Sequence, residues 1–313
     1  MSEPLPENEF ALVERLRRRV SPRPWVALGI GDDAAALRLP ASGDCLVTVD
    51  LLMEGTDFTF PPATAALAGR KSLAVNLSDI AAMAGRPLAA FVALALPRER
   101  GAAFAEEFLD GLIALADEFE VALAGGDTNI WSGPLVASVT VVGEPTGRGP
   151  VTRSGARPGD WIFVTGALGG SLAGRHLTFP PRVAEARRLH QAVELHAMID
   201  LSDGLASDLR HILEASAVGA VLYEERIPIS EAVLACRDGR TPLEHALGDG
   251  EDFELLFAVS PDNGRRLLDA PPVECGLSHI GEIRGEAGCD LVGADGSHRP
   301  LPRIGWEHRF TAP

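Results

Sequence analysis

Aspartates are the residues with which this sequence can do most chemistry. They stand in GIGDD (29–33), Thr48-Val49-Asp50, Glu54-Gly55-Thr56-Asp57, Gly125-Gly126-Asp127-Thr128, Asp200-Leu201-Ser202-Asp203-Gly204 and Gly248-Asp249-Gly250-Glu251-Asp252. Most of these groups close or open a strand-like apolar run. Asp79 differs: with Ser72 and Asn76 it falls at i, i+4 and i+7 of a helix whose other faces are Ala, Leu, Ile, Val and Met. A helix apolar nearly all round is buried, and a buried carboxylate needs a cationic partner or a metal.

Each acid has a plain explanation when taken singly. Asp32 and Asp33 suit a solvated turn, Lys71 is a possible partner for Asp79, and Ser202 or Asp203 suits a helix N-cap. Taken together, the carboxylates would repel one another severely unless divalent cations lay between them. Oxygen ligands without histidine suit Mg²⁺, Mn²⁺ or Ca²⁺ rather than zinc. Mg²⁺ takes few protein carboxylates and completes its shell with water and phosphate oxygens, so the pattern points to a polyphosphate ligand.

The standard phosphate loops are missing. Gly69-Arg70-Lys71-Ser72 has Arg where a Walker A loop needs Gly, and Gly29 and Gly31 run into Asp32-Asp33 rather than a GxGxxG turn. The turn GALGGS (166–171) can offer backbone N–H groups to a phosphate; tight helix–strand packing explains its glycines equally.

The elements that must position these groups follow from periodicity. Helices are expected over 7–19, 64–84 (stopped by Gly85 and Pro87), 99–119 and from about 204 to 214. Strands are expected at 25–30, 45–52, 91–96, 161–165 and 253–259, and strands at 121–124 and 135–142 are expected to flank a Gly-Gly-Asp turn. The densest Gly/Pro stretch lies at 143–160 and marks a boundary, giving domains 1–145 and 146–313. Alternating strands and helices in both halves indicate an α/β or α+β class.

Bulk composition narrows the partners. The 313 residues carry 44 acidic and 28 basic side chains, a formal net charge of −16, which disfavours nucleic acid and anionic lipid. No signal peptide and no membrane span are expected. The cysteines at 45, 236, 275 and 289 form no CxxC pair, which suits reduced thiols in a cytoplasmic protein.

The ordered set GIGDDAA (29–35), VTVD (47–50), MEGTDF (53–58), KSLAVNLSDIAAMAG (71–85), GGDT (125–128), TRSGARPGDWIFVTG (152–166), IDLSDGLASDL (199–209) and GDGEDFELLF (248–257) resembles the thiamine-monophosphate kinase family. That family shares a superfamily with aminoimidazole ribonucleotide synthetase and selenophosphate synthetase. The resemblance implies two α/β domains, a homodimer formed through the N-terminal sheet, and ATP held between domains by several Mg²⁺ ions. It implies metal ligation by Asp33, Thr48, Val49 (through its carbonyl), Asp50, Asp79, Asp127, Asp200 and Asp203. It implies ATP contacts from Gly126, Asp127, Arg153 and Ser202, and substrate contacts from Asp57, Glu251 and Trp306. The chain departs from the family at Asp57, where His is usual, and in a shorter stretch between Ser171 and Met198.

The reaction so implied is phosphorylation of thiamine monophosphate by ATP to thiamine diphosphate. The attacking phosphate oxygen is already ionised at neutral pH, so charge neutralisation and in-line placement matter and a general base does not. The alternatives are a sister ATP-dependent enzyme acting on another small molecule and a non-catalytic Mg-nucleotide-binding protein.

Overall fold

The computed structural model describes residues 15–28, 36–38 and 44–307. Contacts divide the chain into two compact units, Met1–Ile80 with Gly85–Pro145 and Ala81–Ala84 with Thr146–Pro313. Both mix helices with sheet, as the alternating pattern requires.

In the first unit the short strands β1 (Val26–Leu28) and β2 (Ala36–Leu37) pair antiparallel. The main sheet is built from β3 (Leu46–Met53), β4 (Arg86–Pro97), β5 (Ala122–Trp131) and β6 (Val136–Glu144), in the order β3-β6-β4-β5. Only the β4–β5 pair is parallel among them. Alternation puts Ala137, Val139 and Val141 of β6 in the core. The opposite face of edge strand β3 is apolar yet open: Val47, Val49 and Leu51 are 61%, 62% and 57% exposed.

Two long helices, α1 (Ala65–Ala82) and α2 (Gly101–Glu118), belong to this unit; of the helix expected over 7–19, residues 15–19 are helical and the rest lies outside the described residues. The two long helices touch backbone to backbone where each has a glycine. A Cβ on Gly69 would lie 1.9 Å from the Phe108 carbonyl oxygen, and one on Gly111 would lie 1.8 Å from that of Ala66. After α1, Ala84 takes the left-handed conformation (φ 52°) and Gly85 N–H donates to the Ile80 carbonyl at 2.9 Å, which closes the helix.

The expected Gly-Gly-Asp turn is a strand. β5 runs unbroken through Gly125, Gly126 and Asp127, with a register shift against β4 between Ala90 and Phe91. The glycines serve close approach rather than a turn. A Cβ on Gly126 would stand 2.0 Å from the Val92 carbonyl oxygen.

The second unit holds a sheet of β7 (Trp161–Thr165), β8 (Ala197–Asp200), β9 (Gly219–Tyr223), β10 (Leu255–Val259), β11 (Leu277–Arg284), β12 (Gly288–Val292) and β13 (His298–Pro300). Their order is β13-β12-β9-β11-β7-β10-β8, antiparallel except for β9–β12. The helices are α3 (Val183–Ala192), α4 (Leu205–Ser216), α5 (Pro242–Gly248) and α6 (Pro261–Asp269). Strands β8 and β10 are buried at every position. Strand β10 starts at Leu255, later than expected, because Glu251 and Phe253 both adopt positive φ (59° and 48°) and bend the chain before it.

Candidate active site

In the first unit, β3 and α1 bring two of the expected ligands together. The Thr48 hydroxyl donates to the Asp79 carboxylate. Asp50 follows on the same face of β3, since side chains two apart in a strand point the same way. One turn before Asp79, the Asn76 amide nitrogen donates to the Ser72 carbonyl at 3.1 Å. That bond fixes the amide orientation and leaves Asn76 Oδ1 buried without a hydrogen-bond partner. A buried oxygen lacking a donor, one helical turn from a half-buried carboxylate, is a donor set that fits a hard cation or its bound water.

Asp127 and Gly126 lie exposed on β5, with Asp127 opposite Ala93 of β4. Val49 sits on edge strand β3 with its side chain on the open face. Asp33 lies outside the described residues. Asp57 closes its own loop: its Oδ2 accepts from Met53 N–H at 2.6 Å, while its main-chain carbonyl accepts from the buried Lys71 ammonium at 2.8 Å.

In the second unit, β8 ends on Asp200, which is buried, and the chain turns through Leu201-Ser202-Asp203-Gly204 into α4. Neither Ser202 nor Asp203 caps this helix; the cap residue is Gly204. Asp208, from the first turn of α4, reaches back instead. Its Oδ2 accepts from Asp203 N–H and Gly204 N–H, each at 3.1 Å. Burial, then the charges of Asp200 and Asp203, push the Asp208 carboxyl up to about 8. Among the described residues, Asp203, Asp208 and His211 each place a ligand atom within 4.8 Å of the others. Asp203 is among the ligands expected from the sequence; Asp208 and His211 are not. Their only signal was a position one helical turn apart, directly after the aspartate loop.

The same loop is the anchor for the expected substrate residues. Glu251 N–H donates to the Ser202 carbonyl at 2.7 Å, Phe253 N–H to that of Leu201 at 2.8 Å, and Trp306 N–H to that of Asp203 at 3.0 Å. Leu201 N–H returns a bond to the Glu254 carbonyl at 2.8 Å. Gly250 (φ 72°) permits this approach, since a Cβ there would lie 2.7 Å from the Ser202 oxygen.

The 166–171 turn is held from the other side by the same acidic segment. Gly169 N–H donates to both Asp252 oxygens at 3.0 Å, and Gly170 N–H donates to Asp249 at 2.8 Å. These N–H groups are therefore committed to carboxylates rather than offered to a phosphate. Burial raises the Asp252 carboxyl to about 7, opposed by the Gly169 hydrogen bond. Glu254, fully buried, accepts from Thr165 Oγ1 at 2.6 Å and from Arg182 Nε and Nη2 at 2.7 Å each, and pairs with Arg175.

Arg153 is exposed and makes no ion pair among the described residues. A cleft of about 350 Å³ against α5 contains Arg240 and Arg299 but none of the residues expected at the site. Its arginines are already matched, Arg240 with Asp249 at 2.7 Å and Arg299 with Glu224 at 2.6 Å, so it is no anion site.

The chain is similar to known proteins over most of its length. Residues 31–144 match the N-terminal domain of AIR synthase related proteins, and residues 157–293 match the C-terminal domain. The chain is 43% identical over 289 residues to thiamine-monophosphate kinase of Rhodopirellula baltica, covering 90% of each chain. The crystal structure of thiamine-monophosphate kinase from Stenotrophomonas maltophilia K279a superposes with a TM-score of 0.80 at 38% identity, over 93% of this chain and 98% of that one. A ThiL structure complexed with AMPPCP and TMP superposes with a TM-score of 0.75 at 28% identity, over 99% of this chain and 100% of that one. This chain belongs to the thiamine-monophosphate kinase family.

Proposed function

We propose that this chain transfers the γ-phosphoryl group of ATP to thiamine monophosphate, producing thiamine diphosphate and ADP. The observation that carries the reading is the joining of the Ser202-Asp203 backbone to Glu251 and Trp306 by direct hydrogen bonds. A loop assigned to metal and ATP and a pair of residues assigned to the acceptor are thereby held in fixed register.

In this reading Thr48, Asp50, Asp79 and Asp127, with Asp33 and the Val49 carbonyl, hold Mg²⁺ in the first unit, and Asp200 and Asp203 do so in the second. Bound Mg²⁺ supplies charge neutralisation between anionic donor and acceptor phosphates. Arg153 pairs with a phosphate of ATP, the Ser202 hydroxyl and Gly126 backbone complete the nucleotide contacts, and Asp57, Glu251 and Trp306 orient the acceptor. The Trp306 ring is 55% exposed, and an aromatic ring of this kind stacks on a thiazolium or pyrimidine ring. No side chain is asked to remove a proton, because the acceptor oxygen is ionised at neutral pH.

The reading includes a cytoplasmic homodimer. No helix among the described residues is long and apolar enough to cross a membrane. The open apolar face of Val47, Val49 and Leu51 on β3 is the kind of surface that a second copy covers. Val49→Glu is expected to yield monomer by light scattering; an unchanged mass would remove this face from the interface.

The test of the function is ATP consumption with and without thiamine monophosphate. ADP release that depends on thiamine monophosphate supports the reading. Turnover dependent on another acceptor favours a sister enzyme, and binding of Mg-ATP without turnover favours a sensor.

A further inference from the structure

The segment just before α3 packs against residues 251–254. Arg175 pairs with Glu254, and the Phe179 ring stacks on Phe253 with centroids 4.1 Å apart. Between them, His176 Nδ1 stands 3.5 Å from Glu251 Oε2. The imidazole is buried, on a single helical turn, Arg175–Leu177, whose entry at Gly174 has φ 133°.

Glu251 is fixed at its main chain from two directions. Its N–H donates to Ser202, and its carbonyl accepts from Ser171 Oγ at 2.6 Å. It also keeps a left-handed φ of 59°, which a non-glycine residue holds only where its surroundings impose it. The backbone is thus set, and the carboxylate direction depends on what meets it.

We propose that His176 is a positioning residue for the acceptor: its Nδ1 holds one oxygen of Glu251, so that the carboxylate is presented to the amino-substituted, cationic heteroaromatic end of the acceptor. The inference rests on the reading that Glu251 contacts the acceptor. A long glutamate side chain loses rotamer freedom when it is fixed, and ordering it beforehand removes that cost from binding. His176 touches neither phosphate group in this scheme, so its effect is confined to recognition of the acceptor.

Steady-state kinetics with each substrate varied separately test this, alongside Glu251→Ala. His176→Leu is expected to raise KM for thiamine monophosphate about fivefold, the loss of one close polar contact, with KM for ATP unchanged. His176→Asn, which keeps a donor near the Nδ1 position, is expected to recover most of the loss. In the Glu251→Ala background, His176→Leu is expected to add nothing. A wild-type KM in His176→Leu, beside a raised KM in Glu251→Ala, overturns the positioning role and leaves the function standing. No change in Glu251→Ala defeats the reading of Glu251 itself. Should His176→Leu fail to fold, the imidazole ¹⁵N resonances of native His176 serve. They are expected to move on Glu251→Gln, and unmoved resonances overturn the proposal.

Discussion

Glu251 N–H donates to the carbonyl of Ser202 at 2.7 Å. This bond ties the end of strand β8, where the loop Asp200–Asp203 begins, to the bend preceding strand β10. The two strands pair directly, Leu255 opposite Asp200, so the register of one sheet pair sets the spacing of the loops beyond it. The strained backbone at Glu251 is a cost that this arrangement requires.

Replacing that residue separates stability from function. Glu251→Gly relieves the positive φ by about 1 kcal/mol and so raises, or at least preserves, the urea midpoint. The same variant lacks the carboxylate and is expected to raise KM for thiamine monophosphate. Loss of stability in this variant would show that the side chain, not the backbone, holds the bend.

The helix pair in the first unit is set by Gly69 and Gly111. Gly111→Ala improves helix propensity by about 1 kcal/mol, but its Cβ meets the Ala66 carbonyl oxygen at 1.8 Å. The clash wins, so a net loss of about 2 kcal/mol is expected in urea unfolding. Because α1 carries Asp79, weaker stabilisation by Mg²⁺ is expected to accompany it. An unaltered midpoint would mean that the helices separate freely.

Burial holds the Asp252 carboxyl up to about 7, against an ordinary 3.8. Between about pH 4 and pH 7 the folded chain keeps a proton that the unfolded chain has released. Stability from this group therefore falls as pH rises through that window, by at most about 1.4 kcal/mol per pH unit, and is level on either side. Asp252→Asn keeps an acceptor for Gly169 N–H and removes the titration. The difference in unfolding free energy between wild type and variant, measured across pH, is expected to decline from acid to neutral. A flat difference would contradict the buried, protonated state.

Asp79→Asn and Asp127→Asn are expected to fold and to lose much of the Mg²⁺-induced rise in Tm. They are also expected to lose ATP turnover. A full Mg²⁺ response in either variant would remove that residue from the metal set.

How much of this was legible in the sequence depended on the kind of signal. Asp79 stood out because a carboxylate on an apolar helix is a local contradiction, and its Thr48 partner came from a neighbouring motif. The pair Gly125-Gly126 misled, because glycine marks both turns and close strand contacts, and only the Val92 carbonyl decides between them. Asp208 carried no mark of its own in the sequence, because its part rests on two backbone bonds that form only in the folded turn. His176 and Glu251 meet only through folding, since nothing near either residue announces the other. The fate of the Gly169 and Gly170 N–H groups was likewise hidden, because their acceptors lie across the sheet in Asp252 and Asp249.

The central claim is direct transfer of one phosphoryl group onto the phosphate of thiamine monophosphate. The most direct measurement uses ATP labelled at its γ-phosphate, with thiamine monophosphate and Mg²⁺, and locates the label in the product. The account predicts labelled thiamine diphosphate with the label wholly in its terminal phosphate, formed in equal amount with ADP. Label released as free phosphate or pyrophosphate, without labelled thiamine diphosphate, would contradict it.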